Sequence, residues 1–338
     1  MNGITVTQIQ ASDIKLCKAW DELLRKEGLK KDLNLDYTIG LVDEGNRLLA
    51  TGSCFRNSLR CLAVDSEYQG TGLLGQVVSA LVDYQYRRGY THLFLYTKCD
   101  KARIFETLGF YEITRVKDKV VFMENKPDGF DSYVQNLQTG YGVQAAIVMN
   151  ANPFTLGHRW LVEQACREND TVHLFIVSED ISQFPYAVRE KLVREGTADL
   201  ANIIYHPTKD YLVSTSTFPS YFLKETSDNV QVQAMLDTQI FILLAKRLGI
   251  TVRYVGEEPI SVVTNRYNSV LKENLPCHGI TCREIPRLEA GNQVISASRV
   301  RALLACNDYD AIKTLVPVST YRYLISILNE EQIKVMDH

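Results

Sequence analysis

The sequence predicts two α/β domains in one chain, a mixed α/β domain followed by a parallel-sheet α/β domain. Three observations lead there. The 338 residues are 46% hydrophobic, enough by length for two cores rather than one. Short β-rich runs alternate with stretches of helical periodicity throughout. Proline is absent from the first 126 residues, appears as Pro127 in the polar stretch ENKPDGFDS, and then recurs only beyond residue 150. That break places a linker at 127–142 between a domain over 1–126 and a domain over 143–338.

In the first domain, β-rich patterning predicts strands over 4–9, 37–42, 47–55, 60–64, 92–96 and 120–124, and apolar periodicity predicts helices over 12–26, 73–88 and 101–108. At its centre, LRCLAVDSEYQGTGLLGQVVSAL passes through Gln69, Gly70, Thr71 and Gly72 into an apolar helix. Glycines there let the backbone turn its amides outward, and a helix start adds partial positive charge, so the turn can hold a pyrophosphate. A plain strand-to-helix turn uses the same glycines. Downstream, KARIFETLGFYEI supplies a helix, then Leu108, Gly109 and Phe110, then a strand.

Together these blocks resemble the GNAT acetyltransferase family, whose Q/R-x-x-G-x-G/A loop binds the pyrophosphate of coenzyme A. The resemblance covers residues 1–126 and implies binding of a CoA-like arm at Gln69, Gly70 and Gly72. Leu74 stands where that family prefers Gly or Ala, and Phe105 where many members have a Tyr acid. Phe donates no proton, so amine acetylation through a Tyr acid is not expected.

The second domain predicts strands over 143–149, 171–177, 202–206 and 251–256, separated by helices such as 158–168, 188–198 and 238–248. Such alternation favours a parallel sheet, whose ligands bind at the carboxyl ends of the strands. NPFTLGHRW, residues 152–160, stands at such an end and opens a helix. Free amides and the helix dipole there attract phosphate, Gly157 permits close backbone approach, and Thr155 and His158 can add two side-chain donors. An ordinary loop with Thr155 as cap is the alternative for this segment taken alone. A second segment, GNQVISASRVRALLA, puts Ser296 and Ser298 just before a helix and Arg301 one turn inside it, again a phosphate-binding arrangement.

The pair resembles the nucleotidyltransferase superfamily, in which H/T-x-G-H after the first strand and a late I-S-x-S/T-x-x-R/K sequence frame a triphosphate. The carry-over makes Thr155, His158, Ser298 and Arg301 the expected catalytic residues. Asn152, Pro153, Phe154, Gly157 and Ser296 are expected around the nucleotide, joined by Arg189, Gly256 and Glu257, with Glu258, Tyr267 and Asn268 shaping the pocket. Two further segments, residues 184–225 and 254–276, resemble closely the citrate lyase ligases, which couple a GNAT-like domain to a Rossmann-like nucleotidyltransferase domain in this order. This resemblance implies ATP with Mg2+ as cosubstrate, and acetate as the acid activated to acetyl-adenylate. It also implies, as partner, the citrate lyase acyl carrier subunit with its dephospho-CoA-derived prosthetic group, whose thiol is acetylated with release of AMP and pyrophosphate. A cofactor-biosynthetic nucleotidyltransferase acting on a phosphopantetheine-like substrate and a non-catalytic acyl-CoA sensor are the rival readings.

Composition narrows the field. A formal charge of −3 and the absence of Lys/Arg-rich runs give no reason to expect nucleic acid or a membrane surface. The start, MNGITVTQIQ, lacks a basic stretch followed by an apolar core, and eight irregularly spaced cysteines without C-x-x-C point to a reducing compartment, so the cytoplasm is expected. Cys277, His278 and Cys282 lack a convincing ligand set, and no protein metal site is expected.

Overall fold

The computed structural model describes residues 3–212, 218, 221, 226–258, 261–291 and 293–336. Parts of the two family-like segments, at 213–217, 219–220, 222–225 and 259–260, lie outside the described residues. The chain divides into two units, one from residues 1–135 with 215–239, the other from 136–214 with 240–338.

The first unit runs β1 (Thr5–Gln8), α1 (Ile14–Lys26), β2 (Tyr37–Val42), β3 (Leu48–Phe55), β4 (Ser58–Val64), α2 (Leu73–Arg87), β5 (Phe94–Thr97), α3 (Ala102–Glu106), β6 (Tyr111–Val116), β7 (Val120–Glu124) and α4 (Gly129–Gln135). Its sheet has the order β1-β2-β3-β4-β5-β7-β6 and is antiparallel except between β4 and β5. That parallel contact is short, with Ser58 opposite Phe94 and Leu59 opposite Leu95, after which the strands part. Helix α2 buries Val77, Val78 and Leu81 on the sheet. It packs so closely that a Cβ on Gly52 of β3 would stand 2.6 Å from the Val77 side chain.

Two boundaries differ from the sequence expectation. The first half of the expected linker is α4, which buries Phe130, Tyr133 and Val134 and is anchored where the Phe130 amide donates to Glu124 at 2.7 Å. Apolar residues at i, i+3 and i+4 make one buried helical face, so the first unit extends to residue 135. Residues 215–239 also group with it, although they follow three of the five strands of the second sheet in sequence.

The second unit contributes β8 (Gln144–Met149), α5 (Leu156–Glu168), β9 (Thr171–Ile176), α6 (Tyr186–Gly196) and β10 (Ile203–Pro207). Helix α7 (Thr226–Leu248), whose residues are shared between the units, leads on to β11 (Ile250–Gly256), α8 (Val262–Asn274) and β12 (Thr281–Ile285). A two-stranded ribbon, β13 (Glu289–Ala290) with β14 (Gln293–Val294), precedes α9 (Ala297–Ala305), α10 (Tyr309–Lys313) and α11 (Val318–Met336). The sheet is wholly parallel with the order β10-β9-β8-β11-β12, the Rossmann-like arrangement expected, extended by a fifth strand that the sequence pattern did not announce. Strand β12 has only half-buried and exposed side chains, so no apolar run marks it. Connections reverse direction at β8 and β11, and a crevice opens beyond the carboxyl ends of strands at such a reversal. Among the described residues no helix is long and apolar enough to cross a membrane.

Candidate active site

The chain leaves β8 through Asn150, Ala151 at φ 49° and a cis peptide between Asn152 and Pro153, then enters α5. Thr155 caps that helix. Its Oγ1 accepts from the His158 amide at 3.3 Å while its own amide donates to His158 Nδ1 at 3.1 Å, a reciprocal capping box with histidine in the usual Glu/Gln place. Since Nδ1 accepts, the ring proton sits on Nε2. Burial, reinforced by the positive charge of Arg287, lowers the His158 pKa to about 4, so near pH 7 the ring is neutral and offers Nε2–H as a donor. Phe154 lies against the imidazole, ring centroids 5.8 Å apart and 13° from parallel.

The late motif meets this loop. Arg301 of α9 donates through Nη1 to the Asn152 carbonyl at 2.5 Å and through Nη2 to Ser298 Oγ at 3.0 Å. Ser296 caps α9, accepting from the Arg299 amide at 3.2 Å. Gly157 is where the two segments touch: a Cβ there would stand 2.9 Å from the Ile295 carbonyl oxygen. Sequence reasoning assigned this glycine to close approach by a ligand, and what approaches it is the protein's own backbone.

Several expected nucleotide contacts take other roles. Arg189 is fully buried, its Nε donating to the Phe184 carbonyl, Nη1 to the Asn150 and Val177 carbonyls and Asn150 Oδ1, and Nη2 to the Glu179 carbonyl, all within 2.7–2.9 Å. It ties together the carboxyl ends of β8 and β9 and the loop that follows, and all three of its guanidinium nitrogens are engaged there. Phe154 is fully buried and Pro153 buried with it, so both shape the turn from beneath. Thr155 is 1% exposed with its hydroxyl committed to the cap, which makes it the positioning residue for His158. Asn152 also accepts the Phe184 amide at 3.1 Å.

Gly256 ends β11 beside open space, with no atom within 4 Å of where a Cβ would lie, and Glu257 is exposed. Asn268 is buried and donates to the Gly256 carbonyl at 2.9 Å, so it supports the strand end. Arg287 was not anticipated because it belongs to neither motif. It donates from Nε to the Glu257 carbonyl at 2.5 Å and pairs with Glu258, while its neighbour Leu288 accepts the Ile295 amide at 2.9 Å. A guanidinium thus stands at the carboxyl ends of β11 and β12.

The first unit holds a separate cleft of about 430 Å³ where β4 and β5 diverge, lined among others by Val64, Gln69, Gly70, Gly72, Lys98 and Phe105. Gly70 (φ 78°) and Gly72 (φ 85°) adopt the left-handed conformation with nothing within 4 Å of a would-be Cβ. Gln69 is exposed and donates to Glu27 at 3.1 Å and to the Val64 carbonyl at 3.4 Å, so it braces the loop.

Residues 144–324 match the family model described as the citrate lyase ligase C-terminal domain. Over 323 residues the chain is 38% identical to the citrate (pro-3S)-lyase ligase of Klebsiella pneumoniae, covering 93% of this chain and 94% of that one. It is 38% identical over 336 residues to the ligase of that name from Escherichia coli K12, covering 96% and 95%. Among solved structures, the ribosomal-protein-S18-alanine N-acetyltransferase from Escherichia coli aligns with 36% of this chain and 92% of its own, at 19% identity and a TM-score of 0.30.

Proposed function

This chain belongs to the citrate lyase ligase family, and from that premise we propose an ATP-dependent mechanism for its two sites. The enzyme is a ligase that activates citrate lyase. In the proposed first step, a carboxylate oxygen of acetate attacks the α-phosphorus of ATP in the second unit. The bond to the β-phosphate bridging oxygen breaks, and pyrophosphate leaves. In the second step the thiolate of the carrier's prosthetic group attacks the acetyl carbon, forming the thioester and releasing AMP. The thiol proton passes to solvent.

The observation that carries this reading is the state of His158. A neutral imidazole whose Nδ1 is locked by Thr155 presents an Nε2–H donor already in place, and donors that need no reorganisation are the ones that stabilise charge building on a phosphate. Ser298 and Arg301 stand at the same loop through the Asn152 carbonyl and add a hydroxyl and a permanent charge. Arg287 adds a second positive charge near the histidine. Mg2+ is proposed to enter on the triphosphate whose charge it neutralises.

The first-unit cleft is proposed to bind the acceptor arm, with the pyrophosphate of the dephospho-CoA-derived group on the amides around Gly70 and Gly72. ATP–pyrophosphate exchange with and without acetate, Mg2+ present and citrate lyase absent, tests the first step. Acetate-dependent exchange is expected. Exchange that ignores acetate, even with carrier added, supports the cofactor-biosynthetic alternative.

A further inference from the structure

Strands β4 and β5 pair only as far as Leu59 and Leu95, and the next residues on each side would leave a V-shaped gap at the apex of the first-unit cleft. Tyr221 fills it. Its hydroxyl lies 3.5 Å from the Tyr96 carbonyl on β5 and against the Cys61 amide on β4, so a single side chain bridges the two strands just past their last ladder pair. Its backbone carbonyl accepts from the Lys30 amide at 2.7 Å. Phe218 sets its ring edge against Tyr96, centroids 5.6 Å apart and 77° between planes. Both aromatics are 6% exposed, and both come from the connection between β10 and α7.

We infer that Tyr221 and Phe218 close the apex of this cleft, making it a blind pocket that takes the thiol end of a pantetheine-type arm and admits no second substrate beside it. The inference rests on the reading of the cleft as the arm site. An acyl transferase needs a path by which the acceptor reaches the thioester carbon, and groups that move its protons. Here the apex is occupied. Phe105 carries no proton, and Glu27, the only carboxylate among the described residues lining the cleft, is held by the Ser66 amide at 2.8 Å and by Gln69. Burial pushes the Tyr221 hydroxyl well above the usual phenol range, which makes it a poor proton donor. The arm is therefore sheltered in the first unit and reacts elsewhere.

The test uses the full chain with dephospho-CoA as probe. Affinity is read by calorimetry, and the rate at which a maleimide alkylates the probe's thiol is read by mass spectrometry of the small molecule. With protein at ten times the dissociation constant, wild type should slow alkylation about tenfold, as mass action allows for a fully shielded thiol. Tyr221→Phe keeps the ring and should keep the protection. Tyr221→Ala should still bind the probe through the glycine loop, yet release the thiol to near its free rate, with circular dichroism confirming the fold. Bound but unprotected thiol in wild type, or full protection in a folded Tyr221→Ala protein, overturns the blind pocket alone. Absence of probe binding overturns the arm site and the pocket with it.

Discussion

The loops at residues 69–72 and 152–158 both lead from a strand toward a helix N-terminus, and they are built in opposite ways. In the first, Gly70 and Gly72 take positive φ beside empty space, and Gln69 is tied to Glu27 and the Val64 carbonyl, so the loop between them offers backbone. In the second, Thr155 and His158 lock one another, and Gly157 is pressed against the Ile295 carbonyl. A backbone cradle accepts an anion with little demand on its exact pose. A side chain fixed in one tautomer and one orientation suits an interaction that strengthens only as charge develops. On the proposed reading, the contrast gives holding to the first loop and chemistry to the second.

The largest expected effect strikes the second loop. His158→Ala should lower acetate-dependent ATP–pyrophosphate exchange by roughly 10² to 10³-fold with the fold intact. A near-normal rate in a folded variant breaks the contrast at once. Gly157→Ala comes next. The atom it meets is backbone, held by the Leu288–Ile295 hydrogen bond, so strain of about 1–3 kcal/mol should lower the melting temperature and slow exchange together. A Gly157→Ala variant as stable and active as wild type would show that the two motifs need not touch. Gly72→Val should be milder overall, costing about 1–2 kcal/mol of backbone strain at φ 85°. It should weaken dephospho-CoA binding while sparing exchange, and equal loss of both would merge the two roles.

Near neutral pH the smallest effect is that of titration. His158 and His173 have pKa values lowered to about 4 and His206 to about 3, each chiefly by burial. Their unfolded values lie near 6.5. Protons therefore bind the unfolded chain first, and stability is lost as pH falls from about 6.5 toward 4, while above 6.5 these groups contribute no slope. Melting temperatures measured from pH 4 to 8 should follow that shape, and a rise on acidification would contradict it. Exchange should show no limb near pH 6.5 from His158, since the ring is already neutral there.

Much of this site was readable along the chain. An apolar strand, a Thr-x-Gly-His turn and a helix are local features, and the Ser-x-Ser-x-x-Arg helix start is another. The contact from Arg301 to the Asn152 carbonyl shows the two motifs meeting. Arg189 was misread because it sits on a helix of charged residues, where a buried guanidinium looks like a surface one until the carbonyls of Asn150, Val177, Glu179 and Phe184 surround it. Arg287 lies outside any motif, and its place follows from the unannounced strand β12. The polar spelling DGFDSYVQ concealed the face formed by Phe130, Tyr133 and Val134. No periodicity could say that Phe218 and Tyr221 would cover a sheet assembled more than a hundred residues earlier, because that pairing is wholly non-local.

Phe218 and Tyr221 also set a schedule for synthesis. A chain emerging from the ribosome usually folds its N-terminal domain before the next has been made. This one delivers the seven strands of its first sheet early, then must release β8, β9 and β10 before the two aromatics that finish the first unit leave the exit tunnel. Until then Tyr96 and the diverging ends of β4 and β5 stand uncovered. The nascent first unit has to wait, incomplete, while three strands of the second sheet are being born.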